Sequence, residues 1–386
     1  RLIYMNKRVE KLRQESLDTQ PYISIERAIL VTEAYKKYEG TVSTPLLRAL
    51  VFKYLLENKS ISIGEGELIV GERGGFPQAT PTFPELCCHS LEDLEMINNR
   101  KKISFQVNQK VREVQKEKII PYWENRSMRS RIFKEMTTEW KECYTAGVFT
   151  EFMEQRAPGH TVADDKIYHQ GFSDFIREIE KNIENLDYLN DPEAYDKQEE
   201  LKAMRVCARA ISRFAERYTE KALEMVNAEK DPQRKKELLK IAEVCSYIPA
   251  NPPRNFWEAL QMYWFVHVGV ISELNTWDSF NPGRLDQLLY LFYKRGIEEG
   301  TLTQEKAKEL LECFWVKFNN QPAPPKVGVT LAESGTYTDF ANINNGGLKI
   351  DGTDGVNDLT YLMLDVIDEM RLLQPSTNIP VSYTHL

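Results

Sequence analysis

Apolar side chains recur about every 3.6 residues through the first two-thirds of the chain, which is the spacing of amphipathic helices. Ser24 is predicted to cap a helix over 25–38, and Thr44 with Pro45 is predicted to open a second through residue 56. Ser90 begins the pattern of a capping box. Longer charged helices are predicted at 107–123, 174–186, 198–228 and 233–244. This part of the chain is therefore expected to be mainly helical.

Short segments with β character accompany these helices. Residues 61–71 are predicted to form a strand, because apolar residues are set there among glycines and polar residues. Residues 256–270 are apolar and aromatic all round, so this helix is expected to be buried. Further helices are predicted at 306–319 and 359–373, and further strands at 327–331 and 378–381. Buried helices that alternate with short strands predict an α/β architecture after Pro249.

Charge and composition narrow the class of protein. The 386 residues include 50 lysines and arginines against 58 acids, which gives a net charge of −8. A broad basic surface for nucleic acid or anionic lipid is therefore not expected. The N-terminus shows no apolar signal region, and no apolar run approaches the roughly 20 residues of a membrane span. We expect a globular cytoplasmic protein with neither nucleic-acid nor membrane partners.

The cysteines do not form a recognisable metal motif. The six are Cys87, Cys88, Cys143, Cys207, Cys245 and Cys313. They contain no CxxC pair, and the Cys87-Cys88-His89 run has no second half, so neither zinc nor an iron–sulfur cluster is predicted. Buried free thiols are the expected state.

Two polar stretches present titratable groups that suit catalysis. In residues 150–161, the turn at Pro158-Gly159 presents His160, which titrates near neutrality and can donate to a hydroxyl or carboxylate. A turn histidine bonded to backbone is the alternative. Asp278 lies between large aromatic residues, where desolvation would poise its carboxylate to hold an ammonium or hydroxyl. A helix N-cap is the alternative for Asp278.

A third polar stretch lies near residues 334–340. Ser334 and Asp339 can hold polar ligand atoms there, and Phe340 can supply an apolar wall. The alternative is an ordinary turn rich in serine and threonine. Arg284 and Asp286, between the second and third stretches, are expected to form a structural ion pair.

Long blocks at these stretches resemble a known family. The blocks are 150–162 (TEFMEQRAPGHTV), 282–287 (PGRLDQ), 311–329 (LECFWVKFNNQPAPPKVGV) and 337–344 (YTDFANIN). From about Glu10 to Asn378 the sequence resembles the N-terminal half of the glycyl radical enzymes of the pyruvate formate-lyase type. Within them it is similar to the trans-4-hydroxy-L-proline dehydratases.

The resemblance implies a fold and a domain organisation. It implies an α/β fold in which an N-terminal helical region precedes the first half of a ten-stranded β/α barrel. Residues 1–386 would be the N-terminal part of one such domain, with a helical jacket over 1–250 and a half-barrel with buried helices over 251–386. The C-terminal glycine radical domain would lie outside this chain, and residues 381–386 are left without interpretation.

The resemblance also assigns roles to residues. His160 and Asp278 match catalytic positions that face the substrate hydroxyl. The matching substrate-binding positions are Phe152, Ser334, Asp339 and Phe340. The radical cysteine and glycine of the family fall beyond Leu386, and the glycyl radical is installed by a separate S-adenosylmethionine-dependent activating enzyme. No bound cofactor or metal is implied.

The implied activity is elimination of water from trans-4-hydroxy-L-proline to give pyrroline-5-carboxylate. The implied partners are this small-molecule substrate, the activating enzyme and a second copy in a homodimer, and the chain by itself is expected to be inactive. Another glycyl radical lyase, of the diol dehydratase, choline lyase or formate acetyltransferase type, is one alternative. A helical scaffold without catalysis is the alternative from a different class.

Overall fold

Helices account for most of the structure, a computed structural model that describes residues 5–149, 164–274, 281–328, 331 and 341–380. The first helices are α1 (Lys7–Asp18), α2 (Glu26–Tyr38), α3 (Thr44–Asn58), α4 (Leu91–Asn99), α5 (Gln109–Val114), α6 (Ile120–Trp123), α7 (Met128–Glu135) and α8 (Thr138–Thr145). The next are α9 (Lys166–His169), α10 (Phe172–Glu184), α11 (Ala194–Ala228), α12 (Pro232–Tyr247), α13 (Phe256–Glu273), α14 (Leu285–Glu298), α15 (Gln304–Asn319) and α16 (Asp358–Met370). A π-helical turn, Gln115–Ile119, joins α5 to α6.

Short parallel strands form two small sheets. The strands are β1 (Tyr22–Ser24), β2 (Ala79–Pro81), β3 (Gly283–Arg284), β4 (Asn342–Asn344) and β5 (Ser376–Asn378). Strand β1 pairs with β2, and β4 lies between β3 and β5. In the second sheet Gly283 is opposite Ile343, and Asn344 is opposite Asn378. Parallel strands joined through helices confirm the α/β class at this level.

The predicted helices are confirmed, with small shifts at their ends. The capping box is also confirmed, because the Ser90 hydroxyl accepts from the backbone N–H of Asp93 at 3.0 Å and the Asp93 carboxylate accepts from the Ser90 N–H at 2.8 Å. The predicted Ser24 cap is wrong. Ser24 lies in β1, opposite Pro81, and the N-cap position of α2 is Ile25 without a side-chain cap. Sheet pairing therefore takes priority over capping here.

Helix α13 lies at the centre of the larger core cluster, as its apolar sequence predicts. At most 1% of the surface of each of four large side chains is exposed, those of Phe256, Leu260, Trp264 and Ile271. Helices α11, α12, α14 and α15 pack around it. A second apolar cluster contains residues of α2 and α3 and of the three helices α4, α5 and α6. In the described part of the chain, no helix is long and apolar enough to cross a membrane.

The predicted strand over 61–71 is wrong, because side chains of α13 take the backbone bonds that a neighbouring strand would make. Gln261 accepts from the N–H of Val70 at 2.8 Å and donates to its carbonyl at 2.7 Å. The Trp257 indole donates to the carbonyl of Leu68 at 3.0 Å, and the Trp264 indole donates to that of Gly71 at 2.8 Å. Buried backbone groups need partners, and here a helix supplies them.

The predicted strand over 327–331 is not formed in its described residues either. The last strand is present, but β5 ends at Asn378 and so precedes most of the predicted range 378–381. In its place, residues 321–327 run as an irregular buried segment after α15. Its three prolines, Pro322, Pro324 and Pro325, have no backbone N–H to donate to a neighbouring strand.

A buried ionic cluster holds the start of that irregular segment. The Lys317 ammonium lies 2.8 Å from Glu67 Oε1 and also pairs with Glu72. Glu72 accepts hydrogen bonds from the side-chain amides of Gln321 and Asn320. Burial acts to lower the pKa of Lys317, but the two carboxylates outweigh it and the pKa is raised. The ammonium therefore stays charged inside the core.

His267, in the middle of α13, is buried and neutral. Its ring stacks on Trp264 at 4.9 Å between centroids, and its Nδ1 lies 3.0 Å from the Tyr263 hydroxyl. Burial lowers the pKa of His267 to about 3. This histidine is therefore a polar member of the core.

Replacing Gln261 with leucine is expected to destabilise the protein by about 2–4 kcal/mol, because it leaves both the N–H and the carbonyl of Val70 buried without partners. Urea unfolding of the purified variant measures this. Gln14→Leu, on an exposed helix surface, is the matched control and should change stability little. Equal losses in the two variants would contradict the role of Gln261.

The buried His267 predicts a pH dependence. Because its folded-state pKa is about 3 and its ordinary value is 6.5, the unfolded chain binds a proton below pH 6.5 that the folded chain does not. Stability from this group is therefore lost as the pH falls. Between pH 7 and pH 5 the wild type should lose about 2 kcal/mol more than His267→Phe. Parallel stability curves for the two proteins would show that the histidine titrates normally.

Candidate active site

The residues that sequence predicts for the site lie outside the described part of the structure. They are Phe152, His160, Asp278, Ser334, Asp339 and Phe340. They fall in three segments of the chain, which we call the first (150–163), second (275–280) and third (329–340, of which only 331 is described) segments. The described residues that flank each segment show whether the segments start and finish near one another.

The described residues that follow the second and third segments are neighbours. The backbone N–H of Asn342 donates to Asn281 Oδ1 at 2.8 Å. Asn281 follows the segment of Asp278, and Ala341 and Asn342 follow that of Phe340. The carbonyl of Ala341 also accepts from the N–H of Ser376, where β5 begins, at 2.7 Å. Parallel pairing of β3, β4 and β5 therefore brings these two ends together.

Asp286 stabilises this junction from the first turn of α14. Its buried carboxylate accepts from the N–H of Gly346 at 2.7 Å and from the Thr360 hydroxyl at 2.5 Å. Burial raises the pKa of Asp286. The predicted ion pair with Arg284 is wrong, because Arg284 is exposed and donates to the carbonyl of Leu348 instead. Arg284 and Asp286 therefore each bond to loop backbone or to a hydroxyl group instead of to each other.

Tyr144 joins the residues that precede the first and third segments. Its ring lies 6.0 Å from that of Phe149, which precedes the first segment. Arg129 donates to the Tyr144 hydroxyl at 2.9 Å. Gly328, which precedes the third segment, has φ of +75°, and a Cβ there would lie 2.0 Å from that hydroxyl. Glycine is required by both the backbone angle and the close approach.

Arg27 joins the end of α13, which precedes the second segment, to the same region. Its guanidinium donates to the carbonyls of Ser272 and Glu273 and pairs with Glu85 at 2.5 Å. The carbonyl of Glu85 accepts from the N–H of Met128 at 2.9 Å, at the start of α7. Sequence reasoning missed Arg27, and its only signal was a charged residue on the apolar side of a predicted helix.

A cavity of about 990 Å³ lies beside this region. Its lining includes Arg27, Glu85 and Met128, together with Glu273 and Leu274 at the end of α13. Three pairs of opposite charge lie on its wall, namely Arg27 with Glu85, Arg48 with Glu273 and Arg126 with Glu39. The cavity therefore extends to the end of α13.

Four of the cysteines are held in the thiol form by burial. None of the six forms a disulfide, and burial raises the pKa of Cys88 and Cys313 to about 12 and that of Cys207 to about 11. Burial also raises the pKa of Cys245, whereas Cys143 is exposed, contrary to the expectation of buried thiols. A thiol whose pKa is raised by burial carries little thiolate.

The described residues contain no group of three or more histidine, cysteine, aspartate or glutamate side chains that could hold a metal ion. His89, in the one run that resembled a metal pair, lies with its Nε2 3.1 Å from the carbonyl oxygen of Pro325. That nitrogen donates to the carbonyl, so it is not free to bind a metal.

Replacing Gly328 with alanine should destabilise the protein more than replacing Gly300 does. Both have positive φ, so alanine costs about 1–2 kcal/mol at either position. Only at Gly328 does the new Cβ collide with Tyr144, which adds about 1–3 kcal/mol. Chemical denaturation compares the two variants, and equal losses would mean that the Tyr144 contact is not close.

The chain is similar to known proteins over nearly its whole length. The sequence profile described as pyruvate formate lyase-like matches residues 5–385. The trans-4-hydroxy-L-proline dehydratase of Clostridioides difficile is 57% identical over 375 residues, which are 97% of this chain and 48% of the relative. An isethionate sulfite-lyase of Oleidesulfovibrio alaskensis is 33% identical over 372 residues, 92% of this chain and 44% of the relative.

A solved structure is also similar. The crystal structure of hydroxyproline dehydratase from Clostridioides difficile, with trans-4-hydroxy-L-proline bound, matches with a TM-score of 0.96 and 56% identity. The match covers 99% of this chain and 48% of that one. The chain spans about half the length of the curated relatives it matches. Since the profile extends over almost every residue, the chain belongs to the pyruvate formate lyase-like family.

Proposed function

We propose that the full-length protein containing this chain is a glycyl radical hydro-lyase that removes water from trans-4-hydroxy-L-proline and yields pyrroline-5-carboxylate. The observation that carries the proposal is the 57% identity over 97% of this chain to a trans-4-hydroxy-L-proline dehydratase. The match to a structure with that substrate bound supports it. Identity to the sulfite-lyase is much lower, at 33%, which favours hydroxyproline as the substrate.

The proposed architecture is a barrel of the pyruvate formate-lyase type. The parallel sheet of β3, β4 and β5 would belong to its first half, and the helices over 1–250 would form its jacket. Alternation of helices α14, α15 and α16 with these strands supports this reading. The remaining strands and the glycine radical domain would come from the rest of the full-length chain.

In the proposed site, His160 and Asp278 act on the hydroxyl side of the substrate. Asp278 would direct the leaving hydroxyl, and His160 would donate a hydrogen bond to it. Ser334 and Asp339 would hold the ring nitrogen or carboxylate. The hydrogen bond between Asn281 and Asn342, which follow the second and third segments, supports a shared pocket for these two segments.

Phe152 and Phe340 would form apolar walls of the same pocket. Such walls exclude water and strengthen hydrogen bonds to the substrate. The radical is proposed to be a glycyl radical, which a separate S-adenosylmethionine-dependent activating enzyme installs. Radical chemistry of this kind would allow a hydrogen atom to be removed from an unactivated carbon of the substrate. A homodimer and a cytoplasmic location complete the proposal.

An anaerobic assay tests the proposed substrate. The full-length protein is incubated with its activating enzyme and S-adenosylmethionine, and then offered trans-4-hydroxy-L-proline, 1,2-propanediol, choline and isethionate in separate reactions. Pyrroline-5-carboxylate from the first substrate alone is the expected result. Product from another substrate, in preference to hydroxyproline, would assign the protein to a different lyase of the family.

Replacing Asp278 with asparagine should lower kcat by about 10²–10⁴-fold, which is the usual worth of a positioned proton-transfer group. Stability and radical yield should change little, because the substitution keeps the shape of the side chain. Turnover of hydroxyproline per glycyl radical, counted by electron paramagnetic resonance, is the measurement. Wild-type turnover in the variant would remove Asp278 from the mechanism.

A further inference from the structure

Arg27 uses all five N–H donors of its guanidinium inside the protein. Its Nε donates to the carbonyl of Ser272 at 2.7 Å, and Nη2 donates to that of Glu273 at 3.3 Å. Its Nη1 donates to the carbonyl of Thr82 at 3.2 Å, and both terminal nitrogens contact the Glu85 carboxylate. The side chain is only 6% exposed. No donor remains for any other purpose.

Two of these bonds cap the C-terminal end of α13. The last carbonyls of a helix have no partner within the helix, and burying them unpaired costs free energy. A cation at this end is also favoured by the helix dipole. The Glu85 carboxylate balances the charge of Arg27, and the guanidinium packs 3.7 Å from the centre of the Phe83 ring. These contacts leave the guanidinium a single orientation.

The capped end is the point from which the chain runs toward Asp278. Asp278 follows Glu273 by five residues, and a stretch of chain of that length spans at most about 18 Å. A shift or rotation of the helix end would therefore be passed to Asp278 through a short piece of chain. A displacement of about 1 Å in a reacting group can cost about 10²-fold in rate.

We propose that Arg27 is a positioning residue, which fixes the end of α13 so that the chain leading to Asp278 starts from a fixed position. The inference rests on the proposed function, because it assigns Asp278 to the hydroxyl of the substrate. Arg27 itself has no donor left for a substrate, so it acts through the helix end.

Arg48 supplies a matched control at the same helix end. It pairs with the side chain of Glu273, is largely exposed, and in the described contacts donates to no carbonyl of α13. Lysine at either position keeps the positive charge. Lysine at Arg27, however, cannot span two carbonyls and a carboxylate, since it lacks the planar fork of donors.

The test compares Arg27→Lys with Arg48→Lys in the activated full-length enzyme. Turnover is expressed per glycyl radical, so that protein which fails to fold or to be activated is not counted. Arg27→Lys should lower kcat by about 10²-fold with a smaller change in KM, and Arg48→Lys should behave as wild type. Arg27→Gln provides a second variant, and it should be at least as slow.

A double-mutant cycle separates positioning from general destabilisation. If Arg27 acts through Asp278, Arg27→Lys should slow the Asp278→Asn enzyme far less than it slows the wild type. An unchanged kcat in both Arg27 variants would overturn the inference, as would an equal loss in both backgrounds. If the wild type itself forms no pyrroline-5-carboxylate, the proposed function fails instead.

Discussion

Helix α13 is buried along nearly its whole length, so leaving its polar groups without partners inside the protein would cost free energy. Gln261 meets the requirement on the backbone of Val70. Glu258, which is fully buried, pairs with Arg254 at 2.6 Å. His267 stays neutral against Tyr263. The elements around α13 are therefore placed by hydrogen bonds as well as by apolar packing.

The same requirement governs the ends of the three segments that carry the predicted site. Arg27 satisfies the last carbonyls of α13 and connects them through Glu85 to the start of α7. Tyr144, one helix further along, contacts both Phe149 and the region of Gly328. Three segments that are far apart in sequence thus begin from one connected region. This arrangement supports a shared pocket built on rigid elements.

Periodicity was sufficient to predict the helices, because their apolar faces are regular and their capping residues are local. It could not predict the structure of 61–71, since the partners of that backbone are side chains of α13 almost two hundred residues away. The Ser24 cap failed for a similar reason, because β2 competes for the same backbone. The role of Arg27 was equally invisible, as its bonds are to carbonyls from distant segments. The six predicted site residues stay predictions, since they lie outside the described structure.

A crystal structure of the full-length protein with trans-4-hydroxy-L-proline bound would show directly whether the three segments form one substrate pocket. We expect His160 and Asp278 to lie within hydrogen-bond distance of the substrate hydroxyl, with Ser334 and Asp339 at the substrate's nitrogen or carboxylate. We also expect Arg27 to bond the carbonyls at the end of α13. A substrate bound elsewhere, with no contact from the three segments, would show that they do not form the substrate pocket.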